Sequence, residues 1–496
     1  LSSHIAAKPA FLAMSQSPPI LIIQTDAQHH AWLGFRGASG LRTPHLDALA
    51  KRSVTFRRAY SCSGVCVPSR VSFMTGRYPI GHGVMNNNIA RRPDTEPTLG
   101  QLLRDAGYTT GCFGKTHFAG NDRNLSDDGW SHAFTKHEYA AYLRQQGIAA
   151  TYPEKIEVDR LPVRYWTVGG SRIPRAHYFE PVIAREAAAF IEAHHRRPFA
   201  CYVSHVAPHG PFTPPPPYDR LYSPADMVLP PRQDGEFDGM PPLARQWIRQ
   251  NQKYLNDDEL RIWLATVYGL ISMVDDNVGL LLDTLRRCGV LDRSLIVFLS
   301  DHGDFAGRYG ILGKSWCMTD DLLRIPLIIG APGIEPRDSD ALVQSIDATA
   351  TVLDWAGVPE SSRRHGRSLM PLLTGRTAAH RPTVFACDQS EFSGGRLHLS
   401  MVRDERWWYV ESTGSHRELY NLELDPLQRR NLAALPEQQR RCDEMRGQLL
   451  QWHLEHSGGF FEPANAGFWE DQTLFYDEQR FCGERIAALD RLAVTS

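Results

Sequence analysis

Three apolar runs in this sequence end in polar or ionisable residues: PILIIQTD (19–26), FACYVSH (199–205) and SLIVFLSDHG (294–303). Continuous apolar stretches of strand length suit strands buried on both faces, as in a parallel sheet covered by helices. Helical patterns lie between them. TPHLDALAKRS follows the first run, with Thr43 as expected N-cap, Pro44 at N1 and Leu46, Leu49 and Ala50 on one face. A helix over 99–106, stopped by Gly107, leads to a strand over 108–113. REAAAFIEAHH precedes the second run and DDELRIWLATVYGLISMVDDNVGLLLDTLRRCG the third, and PLIIGAPG leads to a helix over 347–355. This βα succession predicts an α/β fold, a mixed and mostly parallel central sheet flanked by helices. The polar run-ends would then gather at the sheet's carboxyl edge, where such folds keep their sites.

From 393 the texture changes. RLHLSMVR, RWWYVES and RELYNL read as short alternating strands, followed by a charged helix from about 436, so a smaller α+β domain on an antiparallel sheet is expected over 393–496. PFTPPPPYDRLY (211–222) is too rich in proline for helix or central strand and reads as a rigid loop. The aromatic tail, including FWEDQTLFYDEQRF, is expected to pack on its own domain, with contact to a second copy as the alternative.

Bulk properties exclude several classes. A formal charge of -2 over 496 residues gives no general field for nucleic acid or anionic lipid, so an anion must be caught by a local pocket. No apolar run approaches the roughly 20 residues of a membrane-spanning helix. Residues 1–13 lack a charged n-region followed by an apolar core, so they read as an added remnant or disordered lead-in before Met14, not as a secretory signal. The nine cysteines stand singly, which points to a reducing, cytoplasmic setting. A periplasmic or secreted enzyme whose leader has been removed is the other expectation.

Cys66-Val67-Pro68-Ser69-Arg70, continuing to Thr75-Gly76-Arg77, resembles the modification motif of the type I sulfatase family, within the alkaline-phosphatase-like superfamily, in which the cysteine is oxidised to formylglycine. The resemblance runs in order from about Pro19 to Ala433, ending with ELYNLELDPLQRRNLA. TDAQHHAWLGFRG, from Thr25, and SDHGDFAGRYGILGK (300–314) are similar to the family's two metal loops. The resemblance thus implies a catalytic domain over 14–392. It implies Asp26, Asp301 and His302 as ligands of one divalent cation, with the residue derived from Cys66 completing the shell. Carboxylate-rich coordination favours Ca²⁺, with Mn²⁺ or Mg²⁺ open because of the imidazole. Where many relatives carry a second acid, this chain has Ala27, so Gln28 is expected to lend its carbonyl oxygen or to act from one layer further out.

The same resemblance implies the anion grip. GYTTGCFGKTHF is similar to the segment whose Lys and His contact sulfate, here Lys115 and His117, an i, i+2 pair expected to share one face of an extended segment. SHVAPHGPF is similar to a Pro-His loop, which makes His209 the proton donor to the leaving alcohol, with His205 structural. Arg70 and Lys314 add positive charge. In YPIGHGVMNNN, Asn87 is a candidate contact to the ester, whereas His82 reads as part of a turn.

The function implied is hydrolysis of a sulfate monoester, small or carbohydrate, to an alcohol and inorganic sulfate. One hydroxyl of the hydrated aldehyde attacks sulfur and the other, once deprotonated, expels sulfate. A separate formylglycine-generating enzyme is then a required partner. The alternatives are a phosphonate monoester or phosphodiester hydrolase on the same fold and, from another class, a non-catalytic binding protein with a degenerate site.

Overall fold

The computed structural model describes residues 18–457 except 89–91, 93–95, 119–124, 149–157, 161–166, 253–254, 315 and 393–394. The aromatic tail and residues 1–13 lie outside the described residues. Eight strands form the central sheet: Ile20–Asp26 (β1), Val54–Phe56 (β2), Thr109–Gly114 (β3), His132–Phe134 (β4), Phe199–Pro208 (β5), Leu295–Ser300 (β6), Leu327–Gly330 (β7) and Arg337–Ser339 (β8). Their order is β8-β2-β7-β6-β1-β5-β3-β4. From β6 to β4 every pairing is parallel, and β7 runs antiparallel to both of its neighbours. The first apolar run lies at the middle because β1 is covered on both faces and flanked by the other two.

Alternate residues of these strands feed two cores. Leu21, Ile23, Cys201 and Val203 pack beneath helices Phe179–His194 and Asp257–Arg287. Ile20, Ile22, Ala200 and Tyr202 face the side of helices Cys66–Thr75 (α1) and Ser345–Trp355. The long helix Asp257–Arg287 holds an 18-residue stretch apolar enough on average to cross a membrane, and 89% of that stretch is buried inside the protein. Its apolarity serves the core.

Register sets the site. Thr25 of β1 lies opposite Ser300 of β6, so the residues that follow, Asp26 and Asp301, leave the sheet together. The β1–β5 pairing shifts after Gln24 and puts Asp26 opposite Pro208, next to His209.

Behind this layer, Val384–Phe392 (β9), Gly395–Arg403 (β10), Trp407–Ser412 (β11) and His416–Asn421 (β12) form a sequential antiparallel sheet. Helix Gln439–His456 packs on it. The sheet begins at Val384, ahead of the compositional change at 393. One local expectation gives way to a distant residue. Pro44 opens its helix as expected, but the Thr43 hydroxyl is taken up by Gly34 N–H and Asp47, and the carboxylate of Asp275, on the long helix, caps His45 and Leu46 N–H instead.

Candidate active site

Asp26, Cys66, Asp301 and His302 converge at the carboxyl edge of the sheet, each buried, with one potential ligand atom apiece and all four atoms within 4.8 Å of one another. β1 and β6 deliver the carboxylates, and α1 delivers Cys66 as its first residue. Cys66 Sγ lies 3.7 Å from Asp26 Oδ1 and 3.4 Å from His302 Nε2. His302 Nδ1 sits 2.6 Å from the Gly303 carbonyl and donates to it, which fixes the ring with Nε2 facing the cluster.

Cations surround this group. Arg70, one turn into α1 and fully buried, donates from Nε to Asp301 Oδ2 (2.8 Å) and from Nη2 to Asp26 Oδ2 (2.9 Å). Its remaining nitrogen donates to Ser204 Oγ at 2.7 Å. Lys115, just beyond β3, reaches Asp26 Oδ2 at 2.6 Å. Lys314 Nζ lies 2.6 Å from Cys66 Sγ and 3.0 Å from His302 Nε2. The loop carrying Lys314 is folded back by Asp304, whose carboxylate accepts N–H groups of Ala306 and Gly313.

The charges act on one another. Burial opposes ionisation of Asp26, yet Lys115, Lys314, His209 and Arg70 hold its carboxyl well below the usual carboxylate range. Burial and Asp26 push the Cys66 thiol up, but Lys115, Lys314 and His302 outweigh them and draw it down to about 7. Burial, Lys314 and Lys115 hold the His209 imidazole well below its ordinary value, although Asp26 pulls the other way. Its Nε2 is 4.0 Å from Asp26 Oδ1, while Nδ1 pairs with the Gly210 carbonyl.

The remaining expected residues are distributed as follows. His117 is buried close enough to Lys115, Arg70 and Asp26 for their charges to act on it, and burial holds its imidazole well below the ordinary value. The i, i+2 face expected of an extended Lys115–His117 segment does not form, because His117 is left-handed at φ 57. Gln28 is buried, with its backbone N–H on Ser300 Oγ and its amide Nε2 on the Trp32 carbonyl, so its orientation is set within its own loop. Asn87 accepts the N–H of Val67 and so braces the start of α1. His82 pairs with Ser72 Oγ and Val84 N–H as a turn residue, and His205 is fully buried.

The anchors of Arg70 were not singled out from the sequence. Gln24 and Tyr202 flank its guanidinium beside Ser204. The available signal was period two: Gln24 shares a strand face with Asp26, and Tyr202 with Ser204.

A donor set of two carboxylates and one oriented imidazole beside residue 66, compensated by three fixed cations, fits an oxygen-preferring divalent ion and an anionic substrate together. Residues 18–358 match the sulfatase family, and residues 307–455 match the family described as N-sulphoglucosamine sulphohydrolase, C-terminal. The chain is 30% identical over 439 residues to a choline-sulfatase of Rhizobium meliloti (strain 1021), spanning 84% of this chain and 83% of the relative. It is 27% identical over 437 residues to an ulvan-active sulfatase of Formosa agariphila, spanning 85% and 78%. The fold superposes on a phosphonate monoester hydrolase from Silicibacter pomeroyi with a TM-score of 0.79 and 25% identity, over 88% of this chain and 96% of that one.

Proposed function

Because the chain belongs to the sulfatase family of hydrolases acting on sulfate esters, we propose that it cleaves a sulfate monoester with residue 66 as the nucleophile, after a maturation enzyme has converted Cys66 to formylglycine. The observation that carries the reading is the buried group Asp26, Cys66, Asp301 and His302, ringed by Arg70, Lys115 and Lys314. Matured to the hydrated aldehyde, residue 66 would offer one hydroxyl to attack sulfur as the alcohol leaves, and a second whose deprotonation would break the C–O bond to sulfate and restore the aldehyde. Asp26, Asp301, His302 and residue 66 would hold one divalent cation, Ca²⁺ by donor type with Mn²⁺ or Mg²⁺ as alternatives. Such an ion polarises sulfate oxygens and acidifies a neighbouring hydroxyl.

The chain's own residues do the rest. Arg70 fixes both carboxylates in direction, because its planar fork is shared between them. Lys115 and Lys314 approach the nucleophile from two directions and neutralise the sulfate oxygens. The N-terminus of α1 adds its partial positive charge at the same point. His209, with Nδ1 held by the Gly210 carbonyl, presents Nε2 toward the cluster; once that nitrogen has taken up a proton beside the bound anion, it passes the proton to the departing alcohol oxygen.

Mass spectrometry of the peptide carrying residue 66, from a host with the maturation system, should find the aldehyde in place of the thiol. The same protein should turn over a chromogenic aryl sulfate. A fully active protein with an intact thiol would overturn the proposal. The likeness to a phosphonate monoester hydrolase supports a second reading, in which a phosphonate monoester is turned over faster than the aryl sulfate. Assaying both, together with a small alkyl sulfate and a sulfated polysaccharide, ranks the readings directly.

A further inference from the structure

α1 starts without a cap of its own. Val65, the residue before Cys66, is extended and cannot accept a hydrogen bond through its side chain, so within the first turn, among the described residues, only Asn87, from outside the helix, takes an N–H, that of Val67. The loop ahead of it is held from the other sheet instead. Asp388 of β9, 3% exposed, accepts the Ser63 hydroxyl on Oδ1 and the Gly64 N–H on Oδ2 at 2.9 Å. Ser63 Oγ in turn accepts the N–H of Val65 at 3.2 Å. The neighbours of Asp388 tighten the grip: Cys387 N–H donates to the Cys62 carbonyl (3.1 Å), and Gln389 N–H to the Met85 carbonyl (2.9 Å). Met85 stands two residues before Asn87, which braces Val67. Three successive residues of one strand therefore hold both segments that flank the start of α1.

Gly64 is part of the fit. A Cβ there would lie 3.2 Å from Asp388 Oδ2, tighter than ordinary contact, so glycine leaves the carboxylate room to approach. Among the described residues, Asp388 has no lysine or arginine within ion-pairing distance. Burial pushes its carboxyl up to about 7 even though Ser63 and Gly64 bond to it. A buried acid without a cationic partner is a net cost to the fold. Its partners here are two groups of the loop that ends at the nucleophile.

We propose that Asp388 is a positioning residue for the reaction, acting through Ser63 and Gly64 to fix the loop from which residue 66 enters the site. This rests on reading residue 66 as the nucleophile. The C-terminal sheet thereby sets the attack geometry as well as covering the core. A displacement of the nucleophile on the scale of 1 Å lowers turnover by about a hundredfold while leaving distant substrate contacts intact.

The test uses the full chain and the variants Asp388→Asn, Asp388→Ala and Ser63→Ala, with activity normalised to aldehyde content by mass spectrometry. For Asp388→Ala, kcat on the aryl sulfate should fall about 10- to 100-fold with KM changed less than threefold. Asp388→Asn, which keeps an acceptor oxygen, should recover part of kcat. Combining Asp388→Asn with Ser63→Ala should be less than additive, because both cut one chain of bonds. Hydrogen exchange over 62–67 should quicken in Asp388→Ala while the rest of α1 is unchanged. Wild-type kcat in Asp388→Ala, or a loss of kcat that merely follows a lowered melting temperature with no rescue by Asp388→Asn, overturns the inference. If the wild type carries no aldehyde and no activity, the functional reading fails. Exchange then decides the positioning alone: quickened exchange in 62–67 supports it, and unchanged exchange overturns it.

Discussion

Arg70 divides one guanidinium between two carboxylates, Asp26 and Asp301, that a divalent cation would also use. Removing any cation from such a group leaves charge buried without compensation, so single substitutions should be severe. Lys314 is the most informative, since its ammonium touches both Cys66 Sγ and His302 Nε2 while the loop that carries it is held independently at Ala306 and Gly313 by Asp304. Lys314→Met should lower kcat by about a hundredfold, the scale of losing one donor to developing negative charge, with little change in secondary structure by circular dichroism. The ligand group makes a separate forecast. Ca²⁺ added to chelator-treated protein should raise the melting temperature, by the equivalent of about 2.7 kcal/mol at a hundredfold excess over Kd, and Asp26→Asn should abolish the rise. Calorimetric scans with and without the ion measure this without relying on activity.

At the scale of elements, the loop that carries His209, the proposed proton donor, depends on a helix that the sequence did not mark as functional. Glu180, in the first turn of Phe179–His194 and 1% exposed, accepts the Ala207 N–H two residues before His209. Burial pushes its carboxyl up to about 7 from an ordinary 4.5, against the lowering by backbone N–H groups. A raised acid destabilises the folded chain only once it is ionised, so the penalty is absent below about pH 4.5 and complete above about pH 7. Glu180→Gln removes it. Relative to the variant, the wild type should lose up to about 3 kcal/mol of stability between those pH values, read from denaturant unfolding at pH 4.5, 6 and 8. What was legible in the sequence follows from range. The order of strands and helices, and Asp26, Cys66, Asp301 and His302 at their ends, could be read because each signal is local to a run or a short motif. Asp275 capping the helix that starts at Pro44, and Asp388 holding Ser63, could not, because each partner lies hundreds of residues away and a lone acid in a strand or helix carries no mark of its target. The left-handed turn at His117 was missed for a related reason: the motif gives the residue types and spacing, while the backbone angle is imposed by what packs around it.

On the scale of the whole molecule, the inference for Asp388 requires the C-terminal sheet to sit rigidly on the catalytic layer, and one buried ion pair lies at that junction. Asp347, in the first turn of helix Ser345–Trp355, binds Arg381, three residues before β9 begins, through Arg381 Nε at 2.8 Å. The same carboxylate accepts N–H groups of Gln344 and Arg367, and Arg381 also donates to the His365 carbonyl. The pair thus ties the catalytic layer to the segment that enters the second sheet. Burial works against ionisation of Asp347, but Arg381 holds its carboxyl well below the usual carboxylate range. With the folded value depressed, the stabilisation is present above the ordinary carboxylate pKa of about 4 and is lost as pH falls through the lower folded value. Asp347→Asn leaves Arg381 buried beside a neutral amide and should cost about 3 kcal/mol at pH 7, a cost that shrinks once the pH falls below about 4. If the two layers unfold as one, urea transitions followed by tryptophan fluorescence and by far-ultraviolet dichroism should move together in the variant. If the C-terminal sheet separates first, the two transitions should split, and kcat should fall at urea concentrations where the central sheet is still intact.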